Sequence, residues 1–400
     1  MTRKSARLSY KTRRRRRYAV AVTALCFSLA ILGITVAGLF SGSATAQNVR
    51  PPEDATVDPG APGEAVPYGP EGAAVPGNTS GIRSDADLWR FVRGQEVPNF
   101  DATVSIPNKQ AAQLVQSGGE EWRLLRANEI PAYTGYAIGG MIALLVLFYV
   151  LRGRIRIDHG PAGTTIERFD ALERFGHWLL AVSFIILALT GLNLLWGKDF
   201  LMPLIGKDAF ATITQAGKWA HNNVAWAFMA ALPLIFILWV GRNLPDRTDI
   251  AWIARGGGLF VKGVHPDSKK FNAGQKVIFW SVIILGVSVS LSGYALLFPF
   301  ETAMMAKTFA ILNMVGFDLP TTLTPLQEMQ YQTIWHGIVA VAMMVIVVAH
   351  IYIGSLGMEG AFDAMGSGQV DLNWAKEHHN LWVAEVQEET RRSAATTPAE

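Results

Sequence analysis

Eight histidines are spread over the 400 residues, and four of them, His177, His221, His336 and His350, stand within or at the mouths of long apolar stretches. An ionisable side chain in such a setting is costly to keep and usually functional. His336 and His350 share one stretch, fourteen residues apart. On a helix that spacing is roughly 21 Å of rise, and it returns the rings to within about 40° of one face. One helix would thus present two imidazoles on one side, one near each membrane surface. Neutral imidazole is an axial ligand of haem iron, and two such ligands close the metal to substrate, which suits electron transfer. A lone membrane histidine can equally serve as an interhelical hydrogen-bond partner; four at matched depths are harder to explain that way. No carboxylate or thiol cluster joins them, which disfavours other metals. The single cysteine, Cys26, excludes an iron–sulfur cluster, a structural zinc site and an internal disulfide. There is no CxxCH, so covalent c-type haem is excluded as well.

The elements that must hold these rings are membrane spans. Half of the residues are hydrophobic, only 17% are charged, and the net charge is +3. Five apolar blocks, at about 133–151, 177–197, 219–241, 276–298 and 332–355, each approach or exceed the roughly 20 residues that cross a bilayer. The loops 152–176 and 242–276 hold twelve Lys and Arg, against four (Lys198, Lys207, Lys218 and Lys307) in the loops 198–218 and 299–331. That bias places the first two loops in the cytoplasm. The spans then alternate, residues 47–132 are periplasmic, and the C-terminus is cytoplasmic.

With this topology His177 opens the second span at its cytoplasmic mouth, and His221 opens the third at its periplasmic mouth. Depth matching pairs His177 with His350 on the inner side and His221 with His336 on the outer side. Two bis-histidine b haems would be stacked across the membrane, sharing the last helix. Arg174 and Lys218, each three residues before a ligand, are candidates to face the haem propionates, or are snorkelling end-of-helix cations. Gly191, Gly286, Ser292 and Gly293 would admit a flat macrocycle or pack helices. His159, His265, His378 and His379 lie in cytoplasmic segments, where most are expected to be solvated.

Outside the spans, residues 1–46 combine a basic start, an apolar core and Ser43-Ala44-Thr45-Ala46. They read as a signal peptide cleaved after Ala46 or as an uncleaved anchor. Residues 47–81, rich in Pro, Gly and Ala, read as a disordered periplasmic linker, and 82–130 as a small periplasmic segment. An extra transmembrane helix (131–157), a four-helix di-haem domain (165–358) and a cytoplasmic tail (359–400) complete an all-α membrane protein.

Specific residues carry a family resemblance. Glu173-Arg174-Phe175-Gly176-His177-Trp178 opens the second span, Asn243-Leu244-Pro245-Asp246 follows the third, and Lys270-Phe271-Asn272-Ala273-Gly274-Gln275-Lys276 precedes the fourth. Trp374-Ala375-Lys376-Glu377-His378-His379 stands in the tail. Together they resemble the gamma subunit of respiratory formate dehydrogenase, a membrane cytochrome b, over about 165–385. Residues 82–160 resemble its long-form members. The resemblance implies a bacterial inner-membrane location and an alpha subunit that oxidises formate at a molybdenum or tungsten site. It implies a beta subunit whose iron–sulfur clusters feed the outer haem, and a quinone reduced beside the inner haem. This chain would have no formate-oxidising site of its own, and no nucleic-acid partner. The iron ligands carry over onto His177, His350, His221 and His336, and the quinone pocket onto Asn272, Gly274 and Gln275. Asn272 also reads as the N-cap of the fourth span. Nickel–iron hydrogenase cytochrome b subunits share the four-helix plan. A haem-free anchor or transporter is the alternative from another class, although no internal repeat favours a transporter.

Overall fold

The computed structural model describes Arg93 and residues 119–394. The expected signal segment 1–46, the linker 47–81 and most of the periplasmic segment 82–130 lie outside the described residues. Residues 42–125 form a unit of their own, whose described part is chiefly the short helix Gly119–Leu124.

From Arg126 onward the second unit is built on five helices long and apolar enough to cross a membrane. These are α1 (Ile130–Arg152), α2 (Ala171–Phe200), α3 (Lys207–Trp239), α5 (Ala273–Leu297) and α7 (Pro325–Tyr352). Two shorter helices are α4 (Arg247–Ala254) and α6 (Met304–Asn313). Local sequence sets several starts. Asp170 with Glu173, Asn272 with Gln275 and Thr324 with Gln327 each close a reciprocal capping box at the head of α2, α5 and α7. In each the first side chain accepts a backbone N–H of the first turn, and the third returns the favour. Pro325 adds its fixed φ at the first position of α7.

Helix α2 packs along α3, α5 along α7, and α3 against α5, which closes a four-helix bundle; α1 lies on the outside of α7. Phe228, Leu232 and Met343 fill the middle of the bundle, with Leu180, Phe184 and Val282 around them. The outward surfaces stay apolar: Val150 is 73% exposed and Ile284 62%. In water such surfaces would aggregate; against acyl chains they are at rest. The chain is an integral membrane protein with an all-α membrane fold.

The two ends of the bundle are finished differently. At the end near His336, Glu328 in the first turn of α7 is buried and accepts the backbone N–H groups of Met305 and Ala306, tying α6 to the bundle. The opposite end carries a folded cap. Strand β1 (Thr165–Glu167) pairs antiparallel with β2 (Gln369–Asp371), with Ile166 opposite Val370. Helices α8 (Leu372–His378) and α9 (Asn380–Ala394) follow. Their aromatic residues Trp374 and Trp382 join Phe169, Trp239 and Phe271 in a buried cluster.

Two expectations need correction. The loop 198–218 is mostly helical: α2 runs to Phe200, a turn covers Met202–Ile205, and α3 begins at Lys207. His221 is therefore four turns into α3 and not in its first turn. Apolarity marks where a span meets lipid, and a helix free of breakers continues past that limit into the headgroup region. His177 likewise stands in the second turn of α2, since the capping box at Asp170 starts the helix earlier than its apolar stretch.

Gly286 is a packing residue: a Cβ there would stand 2.7 Å from Leu232 Cδ2. Gly286→Ala should destabilise the bundle by about 1–3 kcal/mol through overpacking. Adding Leu232→Ala should restore part of the loss, read as thermal unfolding of the protein in detergent.

Candidate functional site

The four membrane histidines meet in two couples. His177 on α2 faces His350 on α7, with ring centres 6.1 Å apart and planes inclined by 67°. His221 on α3 faces His336, also on α7, at 6.3 Å and 64°. Two metal–imidazole bonds of about 2.0 Å, with about 1.1 Å from each ring nitrogen to its ring centre, call for about 6.2 Å between ring centres. Both couples have the spacing at which two imidazoles flank one metal ion. Among the described residues no group of three His, Cys, Asp or Glu side chains is placed to hold a metal ion. A centre held by only two protein ligands needs its remaining ligands from a prosthetic group, and a porphyrin supplies four. The couples therefore fit haem b.

Hydroxyl groups orient the rings of the second couple. Thr190 Oγ1 on α2 lies 2.8 Å from His221 Nδ1 and gives its own proton to the carbonyl of Ile186 at 2.7 Å. Ser292 Oγ on α5 lies 3.0 Å from His336 Nδ1 and is within 3.1 Å of the Ser288 carbonyl. With each hydroxyl proton directed to a carbonyl, the imidazole Nδ1–H donates to the hydroxyl oxygen. Nε2 is then the bare nitrogen that would bind metal. Glycines keep the space beside these rings clear: a Cβ on Gly191 would lie 3.7 Å from His221 Cε1, and one on Gly293 3.2 Å from His336 Cε1. The His177 couple differs. His177 Nδ1 is buried with no hydrogen-bond partner among the described residues. Its neighbours are indoles, with Trp178 and Trp239 ring centres 5.4 and 6.4 Å away.

The remaining expected site residues surround these couples. Arg174 donates to the Gly366 carbonyl at 2.8 Å, while its Nε is buried without a partner among the described residues. Lys218 is exposed on α3, three residues before His221. Asn272 and Gln275 form the cap of α5: Asn272 Oδ1 accepts the Gln275 N–H at 2.9 Å, and Gln275 Oε1 accepts the Asn272 N–H at 3.1 Å. Both amide oxygens are engaged there, which leaves the NH₂ groups as donors. Gly274 sits against Trp252, whose Cη2 a Cβ would approach to 3.1 Å.

Beneath the His177 couple lies a polar network that sequence patterns did not single out. Glu173, one turn before His177, accepts Lys270 Nζ at 2.8 Å and Trp239 Nε1 at 3.0 Å. Arg168 is 2% exposed, donates to the Lys270 carbonyl at 2.6 Å, and lies over the rings of Phe169, Trp374 and Trp382. Burial lowers its pKa to about 9, with Glu173 opposing the fall, so the guanidinium stays charged at neutral pH. The expectation of solvated tail histidines fails here. His379 is 1% exposed, its Nδ1 is 2.8 Å from the Lys269 carbonyl, and burial drives its pKa well below the usual value. His378 and His265 are half-buried, and only His159 is exposed. The tail folds back across the 152–170 segment, a pairing that local sequence does not encode.

Comparison with known proteins adds independent findings. A family model described as prokaryotic cytochrome b561 matches residues 168–368. The formate dehydrogenase cytochrome b556(fdo) subunit of Escherichia coli K12 is 31% identical over 231 residues, covering 58% of this chain and 97% of that protein. The nitrate-inducible formate dehydrogenase cytochrome b556(Fdn) subunit of the same organism is 26% identical, over 56% of this chain and 92% of that protein. A formate dehydrogenase cytochrome b556 subunit of Haemophilus influenzae is 25% identical, over 56% and 84%.

Replacing Thr190 by Val removes the acceptor that holds His221 Nδ1–H. Affinity of that couple for iron porphyrin should fall by about 10–100-fold, the usual cost of losing such a partner. Haem titration of the apoprotein, followed by the Soret band, measures this, and the His177 couple should be unaffected.

Proposed function

The chain belongs to the prokaryotic cytochrome b561 family, and on that premise we propose that it is the membrane cytochrome b subunit of a respiratory formate dehydrogenase, linking that complex to membrane quinone through two b haems. The observation that carries the reading is the pair of imidazole couples, 6.1 and 6.3 Å between ring centres, at opposite ends of one shared helix. Haem b bound at these couples supplies one-electron transfer. The residues that would hold it are His177 with His350 and His221 with His336, and two imidazoles on one iron would leave no place for oxygen or substrate.

Other residues take supporting roles in this reading. Arg174 and Lys218 are the cations for the propionates of the His177 and His221 couples. Arg174 is the better supported of the two, because its Nε is a buried donor in need of an acceptor. Asn272 and Gln275 offer NH₂ donors to a quinone carbonyl at the head of α5, and Gly274 between them packs against Trp252.

Sidedness follows from charge. Twelve Lys and Arg in the loops 152–176 and 242–276, against four in the other two, favour a cytoplasmic position for the end carrying His177 and His350. The periplasmic end, with His221 and His336, then receives electrons from an iron–sulfur beta subunit, which is fed by a molybdenum or tungsten alpha subunit. The relatives, each a subunit of a formate dehydrogenase by name, support this set of partners. Quinone reduction on the cytoplasmic side, with protons taken from that side, would make the step electrogenic.

Pyridine haemochrome analysis should return two protohaems per chain, and the native complex should copurify with a molybdo- or tungstoenzyme; a hydrogenase in its place would redirect the assignment. His350→Ala should abolish the haem signal of its own couple and quinone reduction, while the His221 couple stays reducible by formate. Undiminished quinone reductase activity in that variant would contradict the role given to the couple.

A further inference from the structure

A narrow cleft opens at the end of the bundle that carries His177 and His350. Its walls come from the segment after α1, the loop that follows α4, the head of α5 and the end of α8. Asn272 stands on its wall, and so do Asp158, His265, Glu377 and His378. Three of these titratable groups are in series. Asp158 Oδ2 is 2.9 Å from His265 Nε2. The His265 and His378 ring centres are 5.9 Å apart and nearly perpendicular, so the two rings are neighbours in the cleft wall. His378 Nε2 is buried without a hydrogen-bond partner among the described residues. The Asp158 carboxylate is partly exposed, with 40% of its side chain accessible, so the series begins in solvent.

We propose that Asp158, His265 and His378 form a proton-input relay, carrying protons from solvent to the part of the cleft bounded by Asn272, where they are delivered to a quinone. The inference rests on the quinone-reducing function proposed above and assigns its proton donors. Reduction of one quinone forms two O–H bonds. It takes two electrons, one at a time, from the b-type redox centres, and two protons through the relay. Each proton that leaves His378 is replaced from His265, and that ring is recharged through Asp158 from water, so no further reactant is needed.

The surroundings suit such a role. Burial, reinforced by the neighbouring His265, lowers the pKa of His378 to about 4. Arg168 acts in the same direction, and Glu377 and Asp158 act against it. At neutral pH the ring is uncharged, able to accept a proton on one nitrogen while releasing one from the other. Arg152 and Arg156 also line the cleft, and Arg152 is anchored through Nε to the Leu259 carbonyl at 2.9 Å. Glu377 is differently employed: it accepts the backbone N–H groups of Asp158 and His159 at 3.0 Å each and His159 Nδ1 at 2.8 Å. It positions the Asp158 turn and is left out of the relay.

The test uses the intact complex in membranes, with Asp158→Asn and His265→Ala as variants. Quinol formation from formate is followed from about pH 6 to pH 9, beside the haem spectrum and the affinity of a quinone-analogue inhibitor. The relay predicts a rate loss of about tenfold or more at alkaline pH, where protons are scarce, a smaller loss at acid pH, and rescue of His265→Ala by added imidazole. Haem content and inhibitor affinity should match the wild type. Wild-type rates across the pH range in both variants would overturn the relay. So would a loss of haem or of inhibitor binding in step with activity, which marks the cluster as a structural clasp. A wild-type complex that reduces no quinone would overturn the underlying function itself, and the relay with it.

Discussion

Two imidazoles held about 6 Å apart, centre to centre, inside an apolar bundle form the constraint on which the rest of the structure depends. The bundle must keep each ring pointed at its partner with one nitrogen bare, without water to help. Helix α7 solves half of the problem for both couples at once, because fourteen residues return a side chain almost to the same face. The other half falls to α2 and α3, which run antiparallel and bring one histidine to each depth. The capping boxes of α2, α5 and α7 matter for this reason. A helix whose start slipped by one residue would rotate its histidine by about 100° away from its partner.

The two couples are not equivalent. His221 and His336 are each steadied by a hydroxyl on a neighbouring helix, and both hydroxyls also return a bond to their own helix backbone. His177 has no such partner among the described residues; Trp178 and Trp239 lie beside it, and a partly buried ion pair of Glu173 with Lys270 stands one turn away. Arg168 adds a second cation, dispersed over three aromatic rings. Positive charge in a medium of low polarity stabilises added electrons nearby, so Arg168 would favour reduction of a haem held at the His177 end. That direction suits the electron path proposed above, from the His221 couple to the His177 couple.

Helix α1 stands apart from the matched family region, which begins at residue 168. It packs on α7, the helix that both couples share. Its C-terminal end continues into the segment carrying Arg152, Asp158 and His159, which is bound to the tail through Glu377 and through the Ile155–Met358 bridge. The added span thus contributes to the cap over the His177 end and is more than a lipid-facing addition.

Much of this was legible in the residues themselves. The five spans, the fourteen-residue histidine spacing, the depth pairing and the Asn272 cap all follow from hydropathy, helix pitch and local side-chain-to-backbone bonds. Apart from the depth pairing, which follows from the alternation of spans, each of these is a property of near neighbours in the chain. What the tertiary structure alone decided are the side-chain contacts between distant segments: Thr190 beside His221, Ser292 beside His336, Arg168 among the tryptophans of the tail, and the burial of His379. A threonine in an apolar helix is silent until the helix against which it packs is known, and a tail rich in charge looks solvated until a strand pairing folds it back. Helix ends were misjudged for a related reason. Hydropathy records where the lipid stops, whereas a backbone free of breakers and held by a neighbouring helix keeps its hydrogen bonds well beyond that point.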